Sequence, residues 1–282
     1  VAFNNTFRES GDPVCWNFYR GNGGAVVISH EVGHTFGLHH DDTTTQGYYG
    51  GHGSGAMTWG PIMGAPYNQN ICQWCKGDYT NANQHQDDLI QIGSSVARRV
   101  DDHAPDSVQA TPLVIGTGGT VSNNGVIASP EDVDAFTFTT GGGNLNLQFN
   151  GAVNSPNLDI EAKLYNSSGT LVATASPANQ LSATLTSALA AGTYTVTVDG
   201  VGNGTWATDG YDDYGSIGEY TISGTVPTPG WRFRVAANSL NGAVLGTVAP
   251  GGSAYSITAG NTGTASSIQS GTGALSVANA SA

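Results

Sequence analysis

His30, Glu31, His34 and His40 stand in one short stretch, HEVGHTFGLHHD at 30–41. Histidines four apart lie one above the other on a face of an α-helix, so two imidazoles can turn ring nitrogens toward one ion. Glu31 follows about 100° further round the helix. There it flanks such an ion and can reach a water beside it, which is where a general base belongs. Gly37 permits the left-handed turn that ends a helix, and the chain can then return with His40 as a third ligand. Three protein ligands and one open position describe a catalytic zinc ion, because structural zinc sites fill all four positions with Cys or His. His39 reads as an exposed neighbour and His52 as a loop residue that can border a cleft. Asp41 reads as a partner that fixes the local geometry.

The element that must position these groups is a helix predicted over 25–36, with Ile28, Val32 and Phe36 as its core-facing stripe. A loop with many glycines, 47–60, follows it, and then GPIMGAP at 60–66. Apolar spacing over 87–100 predicts a closing helix, with Asn83 as its cap. The first residues, VAFNNTF, read as an edge strand.

HEVGHTFGLHHD resembles the extended zinc signature of the metzincin metallopeptidases, HExxHxxGxxH. The Asp41 after the third histidine is similar to the adamalysin/reprolysin branch of that clan. The resemblance implies zinc bound by His30, His34 and His40, with Glu31 as catalytic base. It also implies a "Met-turn" beneath the metal. Met63 in GPIMGAP fits that turn, and Met57 in SGAMTWG is the second candidate. In some metzincins a tyrosine two residues past the methionine touches the metal. Ala65 stands there, and Tyr67 lies two further on. The clan's catalytic domains carry a twisted sheet and a helix ahead of the zinc helix, and before His30 there is room for little more than one strand. The resemblance therefore implies the C-terminal part of a metzincin catalytic domain.

Composition limits the rest. With 282 residues the chain has room for two or three domains, and 41 glycines with only 10% charged residues favour turns and strands over long helices. Eight Lys and Arg against 21 Asp and Glu leave a formal charge of −13, which makes nucleic acid an unfavourable partner. No apolar run is long enough to span a membrane. The cysteines are Cys15, Cys72 and Cys75. A disulfide from Cys15 to Cys72 or Cys75 would suit a secreted protein, and a lone CxxC argues against a zinc ribbon.

After a polar linker near 98–107, period-two alternation recurs in AFTFT, NLNLQF, DIEAKLY, GTYTVTV and EYTISGTV. It places Phe136 and Phe138, Leu145, Leu147 and Phe149, Ile160, Ala162 and Leu164, Tyr194, Val196 and Val198, and Tyr220 and Ile222 on inward faces. Short strands separated by Gly and Asn turns predict an antiparallel β-sandwich. The order DVDAFTF, DIEAKLYNSSGTLVA, LAAGTYTVTVDG resembles the bacterial pre-peptidase C-terminal domain, which implies an accessory module of a secreted peptidase. Beyond VPTPG, the stretch 233–261 resembles the first part of a cadherin-like repeat, without that repeat's calcium carboxylates. The expected fold is thus multidomain: an α+β metzincin catalytic fragment (1–103), an antiparallel β-sandwich (104–226) and an incomplete β-sandwich repeat (227–282). Two acidic groups offer oxygen ligands to Ca2+, weighed against solvated loop carboxylates. One is Asp209, Asp212, Asp213 and Glu219, the other Asp101, Asp102 and Asp106.

The function expected is that of a secreted zinc metalloendopeptidase acting on protein or peptide. The rival is an extracellular adhesion protein that holds a polymer or cell surface through its β-modules, with an inert zinc segment.

Overall fold

A computed structural model describes residues 7, 15–17, 22–228, 239–247, 256–257 and 264–279. They fall in two compact units, Val1–Thr228 and Pro229–Ala282. Apart from Phe7, the edge strand expected at 1–7 lies outside the described residues.

The helix expected over 25–36 is α1 (Asn22–Thr35). Its buried face differs from the expected stripe. Ile28 is 46% exposed, and Val32 and Phe36 are half-buried. Gly24, Val27, His30, Gly33 and Thr35 are the buried residues. The reason is close packing: a Cβ at Gly33 would sit 2.6 Å from Met63 Sδ and 3.2 Å from Leu38 and Trp74. A helix that lies this near its floor needs a small residue at the contact, and Ile28 and Val32 turn the other way. Gly37, at φ 89°, ends the helix as expected.

After α1 come two short parallel strands, β1 (Trp59–Pro61) and β2 (Ile71–Gln73), which bracket the Met63 turn. The closing helix α2 is shorter than expected, Asp88–Gly93. Its cap is Asp87, whose carboxylate accepts from Ile90 N. Asn83, expected in that role, hydrogen-bonds Asp42 instead.

The remainder of the first unit is mostly β. One sheet runs β3 (Thr111–Pro112), β5 (Val133–Thr140), β10 (Gly192–Gly200), β7 (Ile160–Asn166), β8 (Leu171–Ala175). The other runs β4 (Thr120–Ile127), β11 (Gly218–Thr225), β6 (Gly143–Gly151), β9 (Ala183–Leu189). All pairings are antiparallel except β3 with β5. Every inward residue expected from the alternation is buried, and together they form one apolar core. Each side chain there gains the usual transfer free energy, roughly 1.5–3 kcal/mol for a large aliphatic or aromatic group.

The sandwich is bound to the segment that precedes it. Tyr211 packs with Met57, Trp59, Ile71, Cys75 and Tyr79 in a second core. Tyr214 Oη donates to Asp87 (2.7 Å) and accepts from Leu89 N (2.7 Å). Asn157 accepts from Cys72 N (3.0 Å) and from Gln73 Nε2 (2.6 Å).

The second unit contains a three-stranded antiparallel sheet, β12 (Val244–Thr247), β14 (Ala274–Val277), β13 (Ser266–Ile268). Much of the cadherin-like stretch, including Ala237 and Asn238, lies outside the described residues. Among the described residues no helix is long and apolar enough to cross a membrane.

Candidate metal centre

His30 and His34 come from α1, and His40 from the segment after Gly37. Their ligand nitrogens all lie within 4.8 Å of one another. His34 Nε2 and His40 Nε2 are 3.0 Å apart. Two nitrogens on a tetrahedral zinc, each at about 2.0–2.1 Å, stand roughly 3.3 Å from one another, so a small adjustment admits the ion. The far side of two rings is fixed: Nδ1 of His30 lies 2.8 Å from Ile62 O, and Nδ1 of His34 lies 2.8 Å from Leu38 O. A carbonyl can only accept, so each Nδ1 carries the proton and each Nε2 lone pair is left for a metal.

Electrostatics favour the same state. Burial lowers the pKa of His30 to about 4, with His34 and His40 adding to the effect and the Ile62 carbonyl opposing it. Burial also lowers that of His40. Burial thus favours the neutral form of His30 and His40, the form that binds metal. Glu31 acts in the opposite sense on both His30 and His40, which places its charge beside the cluster. The donor set, three imidazoles with a carboxylate alongside, fits zinc with one open position.

Met63 is fully buried beneath Gly33, whereas Met57 belongs to the Trp59 core. Asp41 ties the His40 segment to this floor, since its N–H donates to Met63 O (2.9 Å). Its carboxyl is buried with Cys75 and Asp88. Burial pushes it up to about 7, against the Cys75 thiol and the Tyr79 hydroxyl, which donate to it. His39 is exposed and outside the cluster. His52 bridges Tyr49 Oη and Gly210 O, at 2.7 and 2.5 Å, and so joins the loop to the sandwich. Tyr48, which sequence reasoning missed, has its ring 4.3 Å from that of His40. Nothing in spacing marked it, since its place depends on how the 42–49 loop folds back.

The disulfide expected from Cys15 does not form, and all three cysteines are free. Cys72 and Cys75 are buried in separate surroundings, Cys72 against Pro66 O and Cys75 against Asp41.

The acidic groups rearrange as well. Among the described residues Asp209, Asp212, Asp213 and Glu219 form no cluster. Asp209 accepts from Thr205 N within its own turn, and Asp212 pairs with Lys76 at 3.4 Å. Asp106 is occupied by Val108 N and Gln109 N. Asp101 instead converges with Asp132 and Asp134, and Asp102 with His103 and Asp134. Asp134 is fully buried. Its Oδ2 accepts from Tyr220 Oη (2.5 Å), while its Oδ1 has no hydrogen-bond partner.

No family model and no curated protein matches the chain. Among solved structures it is similar to the pre-peptidase C-terminal domain of collagenase from Bacillus anthracis, at 17% identity and a TM-score of 0.31, over 43% of this chain and 98% of that one. It is also similar to Aeromonas hydrophila PliG, a periplasmic lysozyme inhibitor of g-type lysozyme, at 11% identity and a TM-score of 0.29, over 40% of this chain and 92% of that one. At such values neither likeness assigns an activity.

Proposed function

We propose that this chain carries the zinc-binding part of a secreted, metzincin-type metalloendopeptidase whose substrates are proteins or peptides. In this reading residues 1–103 belong to the catalytic domain, 104–226 form an accessory sandwich of the pre-peptidase C-terminal kind, and 227–282 belong to a cadherin-like repeat. The observation that carries it is the convergence of three imidazoles, two of which, His30 and His34, commit Nδ1 to a carbonyl and leave Nε2 for a metal. Zinc held by His30, His34 and His40 would supply Lewis acidity toward a scissile carbonyl and lower the pKa of a water. Glu31 takes a proton from the attacking water and returns it to the leaving amine. No side chain is acylated, so no burst of a covalent intermediate accompanies turnover. Met63 and Asp41 hold the histidine segments in register.

The test is cleavage of quenched fluorescent peptides by the zinc-loaded chain and by Glu31→Gln. The substitution should retain one zinc and lower the rate by about 10²–10⁴-fold. Cleavage by Glu31→Gln at the parent rate, or none by the zinc-loaded chain, would overturn the reading.

A calcium ion is a second proposal, carried by the unpartnered, buried Oδ1 of Asp134. Asp101, Asp102, Asp132 and Asp134 offer hard oxygen ligands from the linker and from the start of β5, as Ca2+ requires. Asp132 and Asp134 are buried, and burying carboxylates without a counter-charge is unfavourable. Titration calorimetry should show one site that Asp134→Asn removes, and no heat at millimolar calcium would dismiss it.

A further inference from the structure

A cavity of about 520 Å3 opens beside the metal centre, and three separate stretches of chain wall it. One wall is α1, through Val26 and Ser29, the residue before His30. A second runs through the Met63 turn and beyond it, and includes Ile62 and Tyr67. The third comes from the sandwich: residues 154–157, the connection between β6 and β7.

The cavity is coupled to the metal centre by one shared residue. Ile62 lines it, and the same residue's carbonyl orients the His30 ring at 2.8 Å. The sandwich wall is likewise fixed to the zinc segment. Asn157 accepts from Cys72 N and Gln73 Nε2, and Gln73 Oε1 in turn accepts from the buried Trp59 indole at 2.8 Å. Within the same connection Ser155 has φ 48°, a conformation that non-glycine residues rarely adopt. A serine persists there only where the surroundings hold it.

The lining has a definite chemistry. None of the residues that wall the cavity is charged. Hydroxyls and amides are present on all three sides, and burial pushes the Cys72 thiol up to about 11, so it too is neutral. A charged guest would lose hydration and find no counter-ion. An uncharged guest, apolar or amide-bearing, would lose little and gain contacts on three sides.

We infer that the β6–β7 connection of the sandwich is a specificity-determining wall of the peptide-binding cleft, which takes one uncharged side chain beside the bond to be cut. This rests on the peptidase reading and adds that the sandwich selects substrate. The likeness of the sandwich to an accessory module would not suggest such a role.

The experiment uses binding, so that it does not depend on turnover. The zinc-loaded chain is titrated calorimetrically with acetohydroxamate, which reaches only the metal, and with peptide hydroxamates that present Leu, Phe, Gln, Asp or Lys. Leu, Phe and Gln should bind at least ten-fold tighter than Asp and Lys, the range a pocket of this kind discriminates. Replacing Asn154, Ser155 and Pro156 together by glycine should shrink that spread below about three-fold and leave acetohydroxamate affinity unchanged. Asn154→Trp, at an exposed position, should weaken Phe most by filling the cavity, and melting temperatures close to the parent's confirm folding. Equal affinity for all five peptides, or a spread that survives both variants, would overturn the inference while the metal centre stands. Failure of acetohydroxamate to bind the zinc-loaded chain would overturn the peptidase reading, and this inference with it.

Discussion

Gly33→Ala separates two physical effects that point in opposite directions. Helix propensity favours alanine over an interior glycine by about 1 kcal/mol. Packing opposes it: the new methyl would lie 2.6 Å from Met63 Sδ and 3.2 Å from Leu38 and Trp74. Ordinary contact is about 3.5–4.0 Å, so something must move by roughly 1 Å. Met63 is fully buried, so its thioether can yield only against packed neighbours, and where it does not yield the helix itself must lift. Overpacking of this kind costs about 1–3 kcal/mol, which leaves a net destabilisation of roughly 0–2 kcal/mol. The effect on the metal should be larger. Zinc ligation tolerates about 0.2 Å, whereas lifting α1 carries His30 and His34 away from His40. Zinc affinity, measured by competition with a chromophoric chelator, should fall about 10–100-fold. Adding Met63→Ala should relieve the clash, so that the double variant is more stable than the sum of the singles, by about 1–3 kcal/mol in a thermodynamic cycle. A Gly33→Ala protein that binds zinc as tightly as the parent and melts higher would refute the close-packed floor.

Three further outcomes follow from single residues. Asp159 is buried against Tyr211, and burial raises its pKa from 3.8 to about 6. The folded state therefore binds this proton more tightly than the unfolded chain, and stability falls as pH rises from about 4 to 6, by roughly 3 kcal/mol at most; Asp159→Asn should flatten that part of the stability–pH curve measured by urea unfolding. Burial raises the Cys72 thiol to about 11 and that of Cys75 well above its usual value. In the folded protein at pH 8 iodoacetamide should label Cys15 alone, and all three after denaturation, as counted by mass spectrometry. Tyr48 meets His40 through its ring; Tyr48→Ala should weaken zinc several-fold in the chelator assay, and Tyr48→Phe should not.

The sandwich was legible where alternation is strict, as in Leu145, Leu147 and Phe149, because one buried face imposes a period of two. β4 was not, because Asn123, Asn124 and Gly125 interrupt its pattern. Gly125 is required there: a Cβ would stand 2.3 Å from Tyr220 Oη. β8 is short, and its leading residues Leu171 and Val172 are exposed, so its pattern carries no burial signal. The three-histidine spacing named His30, His34 and His40 directly, since a helix and one tight turn bring them together by local geometry alone. What spacing could not convey is contact between distant segments. Tyr48 beside His40, Asp134 rather than Asp106 in the acidic cluster, and Asn157 against Cys72 all depend on how separate elements dock. The stripe of Ile28, Val32 and Phe36 misled for a related reason. An amphipathic pattern marks the wrong face when the closest neighbour is a buried methionine that only glycine can approach.

The most direct test is X-ray absorption at the zinc edge of the chain loaded with one equivalent of zinc. The account expects three imidazole nitrogens near about 2.0–2.1 Å and one light atom from solvent, with no sulfur. A sulfur scatterer at about 2.3 Å would place the metal at Cys75 or Cys72 instead. That result, or a fourth protein nitrogen closing the open position, would contradict a catalytic centre built on His30, His34 and His40.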